Sequence, residues 1–388
     1  MTFAPLEGVR VVEMSHMIMG PSCGMFLAML GAEVIKVEPP EGDRTRTLTG
    51  MAAGFFPLFN RGKRSVRLDL EGAPGRAALR ALLARADVFV ENFRDGALER
   101  RGLAPDALRA EYPRLIVASH KGFLHGPYEN RTAMDEVVQM MTGLAYMTGP
   151  SGQPLRIGTS GNDIMAGLFG ALGVLAALRE RERTGEGAAL RVGLFENCLL
   201  LVAQHMVPWE LEGYEAPPMP ERDFAWPVYD IFETADGRQI FVGAITAGHW
   251  ASLCDLLRLE RLKDDPRLTT TMDRNRAREW TIPMIRERIA EWDEAALNAA
   301  LEARGIPFAP IRRPVEMYDD PHVNRPGGLV ASRMGDGRAF RAPGLPLEAD
   351  GAPVVGPADV PGIGDDTEAV LREAGCGEAL VREVLGRA

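Results

Sequence analysis

Between residues 8 and 120, short β-branched and apolar runs alternate with helix-patterned stretches, and that alternation narrows the possible folds more than any other feature. Gly8-Val9-Arg10-Val11-Val12-Glu13 reads as a buried strand, followed by a loop from Ser15 to Pro21 and a helix through Met25, Leu27 and Leu30 that Gly31 ends. Glu33 to Glu38 is a second strand, which closes a βαβ unit. Lys63 to Leu70 alternates charged and apolar residues, as a strand with one wet face does, and a helix spans residues 75–85. Asp87 to Asn92 and Leu115 to Ser119 are further strands, with a helix near Asp106 to Tyr112 between them. Such an order implies a largely parallel sheet with helices on both faces.

Ligands of these sheets gather beyond the carboxyl ends of the strands. His16, Met17, Ile18 and Met19 fall there after the first strand, Arg44 after the second, and Asn92, Phe93 and Arg94 after the fourth. The first of these loops contains no G-x-G-x-x-G, so the dinucleotide fingerprint is missing and an NAD-linked dehydrogenase is disfavoured.

Gly161-Asn162-Asp163 opens an apolar run from Ile164 to Leu178 that ends in a charged turn before Thr184-Gly185. At the N-terminus of a helix, Asp163 is either a capping residue or a carboxylate presented to whatever lies above it. Gly167, Gly170 and Gly173, with neighbouring alanines, give this helix a narrow face that another backbone or a ligand can approach. Leu190 to Glu196 resumes strand character and runs into an apolar helix to about Gln204. A proline-bearing, charged stretch from Tyr214 to Arg222 marks a linker. Tyr229–Thr234 and Gln239–Ala244 then pair as a hairpin around Asp236-Gly237, with helical stretches to Arg304 behind them. The expected class is α/β: a Rossmann-like large domain with a mainly parallel sheet (1–205 and 327–388) plus a smaller α+β domain (226–305). Linkers are expected at 206–225 and 306–326.

A formal net charge of −10 repels polyanions and argues against nucleic acid as a partner, so a small anionic ligand needs local arginines. The four cysteines form no CxxC pair and the six histidines no HxxxH pattern, and no metal site is expected. No signal segment is visible, and no uncharged apolar stretch approaches the roughly 18 residues that span a bilayer. A cytoplasmic protein without membrane contact is expected.

Several segments stand in a specific order: Gly8 to Glu13, Leu30 to Glu38, Gly62-Lys63-Arg64-Ser65, Glu91-Asn92-Phe93, Arg101-Gly102-Leu103, Thr184-Gly185-Glu186-Gly187 and Pro361-Gly362-Ile363-Gly364. Together they resemble the class III CoA transferases, the family of formyl-CoA transferase, carnitine CoA transferase and alpha-methylacyl-CoA racemase. In that family the catalytic aspartate precedes a glycine at the start of an apolar helix and follows a loop ending in Thr-Gly. The matching residues are Asp163, Gly167 and Thr148-Gly149.

The resemblance implies an acyl-CoA:carboxylate CoA transferase that works through an aspartyl-acyl mixed anhydride. Coenzyme A and acyl-CoA enter as substrates beside a small carboxylic acid, and no cofactor is permanently bound. It also implies a homodimer whose chains interlock. By the same resemblance, His16, Met17, Ile18, Met19, Leu68, Asn92, Phe93 and Arg100 line the CoA cleft, and Met134 and Asp135 lie by the substrate. Pro39 replaces an arginine of formyl-CoA transferase, which leaves Arg44 or Arg46 for the CoA phosphates. The racemase branch carries a catalytic histidine at the position matching Met134, and methionine cannot transfer a proton. A racemase or isomerase, and a catalytically silent CoA-binding protein, are the alternatives.

Overall fold

In the computed structural model, which describes residues 3–221 and 226–387, successive residues of each central strand are claimed by two different cores. Val12, Ile35, Phe89 and Val117 join one, whereas Val11, Val34, Val88, Val90, Ile116 and Ala118 join the other. This period of two is what a sheet buried on both faces demands. The strands are β1 (Arg10–Met14), β2 (Glu33–Glu38), β3 (Lys63–Arg67), β4 (Val88–Glu91), β5 (Ile116–Lys121) and β6 (Ala189–Gly193). All neighbours pair in parallel, in the order β3-β2-β1-β4-β5-β6. That is the doubly wound order of dinucleotide-binding sheets.

Helices α1 (Met19–Met29), α2 (Phe55–Phe59), α3 (Ala73–Leu83) and α4 (Pro105–Glu111) connect the first strands. Then come α5 (Asp135–Met141), α6 (Leu144–Thr148), α7 (Gly161–Thr184) and α8 (Leu194–Glu212). Leu79, Leu82 and Leu83 of α3 cover one face with Leu108 of α4, and Cys23 and Leu27 of α1 cover the other with Ala171 and Val174 of α7. Helix α8 continues to Glu212, through Pro208 and into the segment expected to be a linker from residue 206. The last four positions of that expected linker lie outside the described residues.

Two compact units result, one of Met1–Pro220 with Asn324–Ala388, the other of Glu221–Val323. The second unit is a three-stranded antiparallel sheet, β7 (Val228–Glu233), β8 (Gln239–Ala244) and β9 (Phe308–Pro310), with helices whose buried faces enclose Trp250, Ile285 and Leu297. In the first unit the C-terminal segment seals the edge strand β3. The backbone N–H groups of Ser65 and Arg67 donate to Asp366 Oδ2 and Thr367 Oγ1, so that edge offers few free donors to another chain. Gly364 makes this fit, with φ at +68° and no room for a Cβ beside Arg67.

Two expectations need correction. The charged face of β3 is wet only toward its end, where Arg67 is exposed: Lys63 is fully buried, 2.7 Å from Glu13 Oε2, and also donates to Pro21 O and Asn60 Oδ1. Lys36 reaches Asp43 at 2.9 Å and the Ser15 carbonyl at 2.7 Å in the same interior cluster. Removing one member leaves its partner charged and unpaired, so Lys63→Met is expected to cost about 3–5 kcal/mol, measurable by denaturant unfolding. Second, α7 is long and apolar enough to cross a bilayer by length and composition. It instead sets its Gly167 and Gly170 face against α1 and His120 in the interior of the first unit.

Candidate active site

Beyond the carboxyl ends of β1, β2 and β4 lies a cleft of about 350 Å³. Its walls include His16 and Met17 from the loop after β1, Pro39, Asp43 and Arg44 from the loop after β2, and Phe93 after β4. The His16 and Phe93 rings stand 5.9 Å apart. Asn92 fixes this geometry: its side chain accepts from the His16 N–H at 3.0 Å and donates to the His16 carbonyl at 2.7 Å, as a neighbouring strand would. Met17 then takes a left-handed backbone, φ +65°, which the surrounding structure must hold in place. Burial lowers the proton affinity of His16, with Asp43 opposing and Lys36 and Arg44 adding to the effect.

The two candidate phosphate arginines separate here. Arg46 is committed to a bidentate pair with Glu38 and to the Pro361 carbonyl. Arg44 has no ion-pair partner among the described residues and lines the cleft exposed. Arg94, also exposed, borders an adjoining polar cavity of about 230 Å³ that shares Phe93 with the first and is lined by Asn92 as well. Other expected CoA contacts lie elsewhere. Ile18 packs with Met25, Met29 and Phe59, Met19 packs with Val138 and Ala166, and Leu68 is 1 % exposed among core residues. Apolar side chains in these connections go to the core unless a cavity claims them. Arg100 sits exposed in a 3₁₀ turn, Glu99–Arg101, away from the cleft lining.

Asp163 is the third residue of α7 and not its cap, since Ser160 takes the N-cap position. Helix α7 is held close: a Cβ on Gly167 would lie 2.6 Å from the Met19 carbonyl and 1.9 Å from Ser22 Oγ. One turn N-terminal of Gly167 on the same face, Asp163 is therefore carried toward the start of α1 and the loop before it. The preceding residue anchors it. Asn162, fully buried, donates to the Leu194 carbonyl and accepts from Asn197.

Among the described residues no donor meets the Asp163 carboxylate, which keeps partial access to solvent. Burial pushes its pKa up to about 7, the charge of Asp135 adds to this, and Arg156 opposes it. Asp135, 7 % exposed in the first turn of α5, accepts from Gln139 Nε2 at 2.9 Å and is itself raised, first by burial. Met134, next to it at the cap of α5, is 61 % exposed. Gln139 and Arg156 carry no periodic or motif signal, so sequence reasoning passed over them. Also unforeseen is an apolar cavity of about 460 Å³ lined by Tyr146, Met147, Val202, Met206 and Trp209. No group of three or more potential metal ligands occurs among the described residues.

A carboxylate poised near neutrality gives a pH signature. If it must be ionised to react, kcat/KM rises with pH through about 7. Asp135→Asn removes the like charge and is expected to move that rising limb toward lower pH, as a pH–rate profile would read.

Known proteins corroborate the architecture. The chain is 32 % identical over 385 residues to a succinate–glutarate CoA-transferase of Agrobacterium fabrum, covering 95 % of each chain. It is 31 % identical to a formyl-CoA:oxalate CoA-transferase of Streptomyces coelicolor, covering 98 % of each. Among solved structures, a CAIB/BAIF family protein from Brucella suis superimposes with a TM-score of 0.86 at 31 % identity, over 96 % of this chain and 99 % of that one. The model of CoA-transferase family III matches residues 6–367, and this chain is a member of that family, a class III CoA-transferase.

Proposed function

We propose that the chain moves CoA from an acyl-CoA to a small free carboxylic acid with Asp163 as a covalent relay. The Asp163 carboxylate attacks the thioester carbonyl, forming a mixed anhydride and expelling the CoA thiolate. The thiolate attacks the aspartyl carbonyl, which gives an aspartyl-CoA thioester and frees the donor's acid. The acceptor carboxylate then attacks that thioester to form a second anhydride, and the returning thiolate takes the new acyl group and restores Asp163. Each step breaks one acyl bond as it forms another, and none consumes an oxidant or reductant.

The observation that carries this reading is the Asp163 carboxylate itself: partly open, without a donor among the described residues, its pKa raised to about 7 and its helix pressed against α1, which follows the cleft loop of His16 and Met17. A carboxylate with few hydrogen bonds is a better nucleophile than a solvated one, and a dry setting protects an anhydride from water. The clefts after β1, β2 and β4 fit a nucleotide, with Phe93 and His16 against the adenine and Arg44 on phosphate. Arg44→Glu is expected to raise KM for acyl-CoA about tenfold or more and leave kcat within about threefold, read by steady-state kinetics.

The active form in this reading is an interlocked homodimer. Exposed Leu168 and Leu172 on α7, with Leu200, Trp209 and Leu211 on α8, support a second copy covering them. Relatives that work between succinyl-CoA, acetyl-CoA or formyl-CoA and free acids support the exchange. Incubating the protein with acetyl-, succinyl- and branched or aromatic acyl-CoAs against a panel of free acids tests it. New acyl-CoA species are expected; solvent deuterium entering the α-carbon without acyl exchange would favour an isomerase instead.

A further inference from the structure

Four ionisable side chains gather around the starts of α5 and α7, and one of them is a cation. Arg156 stands on the loop before α7, partly buried, and Glu136 at 2.8 Å is its only ion-pair partner among the described residues. Its neighbour is pinned at both ends. The Ile157 N–H donates to Gln139 Oε1 at 3.0 Å, while Gln139 Nε2 holds Asp135. The Ile157 side chain also lies against Gly161, in the first turn of α7. One run of contacts thus fixes Arg156 with respect to Asp135 and to the helix that bears Asp163.

Its charge reaches both carboxyls. Burial raises the proton affinity of each, and Arg156 is the cation that acts on both in the opposite sense. Three carboxyl groups and one guanidinium therefore share this corner. An acceptor with one carboxylate brings only the group that reacts. An acceptor with a second carboxylate enters when Asp163 is a neutral thioester, but against Asp135 and Glu136, and is repelled unless a cation receives it.

Arg156 can do so. Glu136 engages Nη1 alone, and the guanidinium fork keeps further donors on its other edge. Glu136 is 58 % exposed at its side chain, and such a pair costs little to loosen.

Resting on the Asp163 relay, we infer that Arg156 selects dicarboxylic acids as CoA acceptors, by pairing with the carboxylate that does not react while the other attacks at Asp163. Arg156 would touch the substrate but take no part in bond making. Lysine in its place offers charge without the fork and restores only part of the preference.

The test compares succinate with its near-isosteric monocarboxylate, butyrate, as acceptors from acetyl-CoA, in wild type, Arg156→Gln, Arg156→Lys and Asp163→Asn. Wild type is expected to prefer succinate in kcat/KM by about tenfold or more. Read above the Asp163 pH limb, where the loss of Arg156 no longer changes the ionised fraction, Arg156→Gln should lose about that factor for succinate and stay within about threefold for butyrate, with Arg156→Lys between the two. A wild type without the preference, or an Arg156→Gln protein that keeps it or loses both acceptors equally, overturns the inference. An Asp163→Asn protein that still transfers CoA removes the relay beneath it. An inactive Asp163→Asn beside an unchanged acceptor ratio in Arg156→Gln removes the inference alone.

Discussion

Asp163→Asn is expected to lower kcat for CoA transfer about a thousandfold or more, because the amide cannot form an anhydride. The fold should survive, since no described residue donates to that carboxylate and the neighbouring Asn162 supplies the anchor to the Leu194 carbonyl. Stability is expected to move the other way, with a sign set by linkage. The carboxyl has an ordinary value of 3.8 and is raised to about 7 in the fold. Between those values the native chain holds a proton that the unfolded chain has released, so stability falls as pH rises through that window. Above pH 7 the buried charge is fully present and opposes folding. Asparagine removes that penalty, so the inactive variant should melt higher than wild type at pH 8 and nearly with it at pH 4, by calorimetry at both pH values.

The second large effect is expected at Gly167→Ala. A Cβ there meets Ser22 Oγ at 1.9 Å, the Met19 carbonyl at 2.6 Å and the Cys23 N at 3.0 Å, and two of these three are backbone atoms that no rotamer relieves. Overpacking of this kind costs about 1–3 kcal/mol or more and pushes α7 away from α1. Asp163 sits one turn away on the same face, and a shift near 1 Å at a reacting group costs on the order of a hundredfold in rate. Gly173 provides the control. Its nearest neighbour is Leu190 at 3.4 Å, so Gly173→Ala should be neutral or slightly stabilising through helix propensity. Thermal melts and kcat measured on both variants separate a close-packed notch from a generic helix glycine.

The strands were legible because each carries its own pattern: β2 is Glu33–Glu38 in the sequence reading and in the structure, and the turn at Asp236-Gly237 announces β7 and β8. The glycine-lined face of α7 was readable for the same local reason. Lys63 was not, because its partners Glu13 and Asn60 reach it only after β1 and β3 enter one sheet, and a lone charged residue in an alternating strand reads as solvent-facing. The choice between Arg44 and Arg46 likewise waited on Glu38, whose carboxylate engages Arg46. Local spacing placed Asp163 at a helix start, but the cap fell to Ser160, since the helix begins at Gly161. The corner of Gln139, Arg156 and Asp135 is assembled from two helices and a loop, which no single stretch of sequence describes.

The relay itself is most directly read by catching it. Acyl-CoA is mixed with the protein, the reaction is quenched with hydroxylamine or borohydride, and the digested protein is sequenced by mass. Asp163 should carry the hydroxamate or be reduced to the alcohol, only when acyl-CoA was present. An Asp163 found unmodified while the same sample turns over would contradict the account.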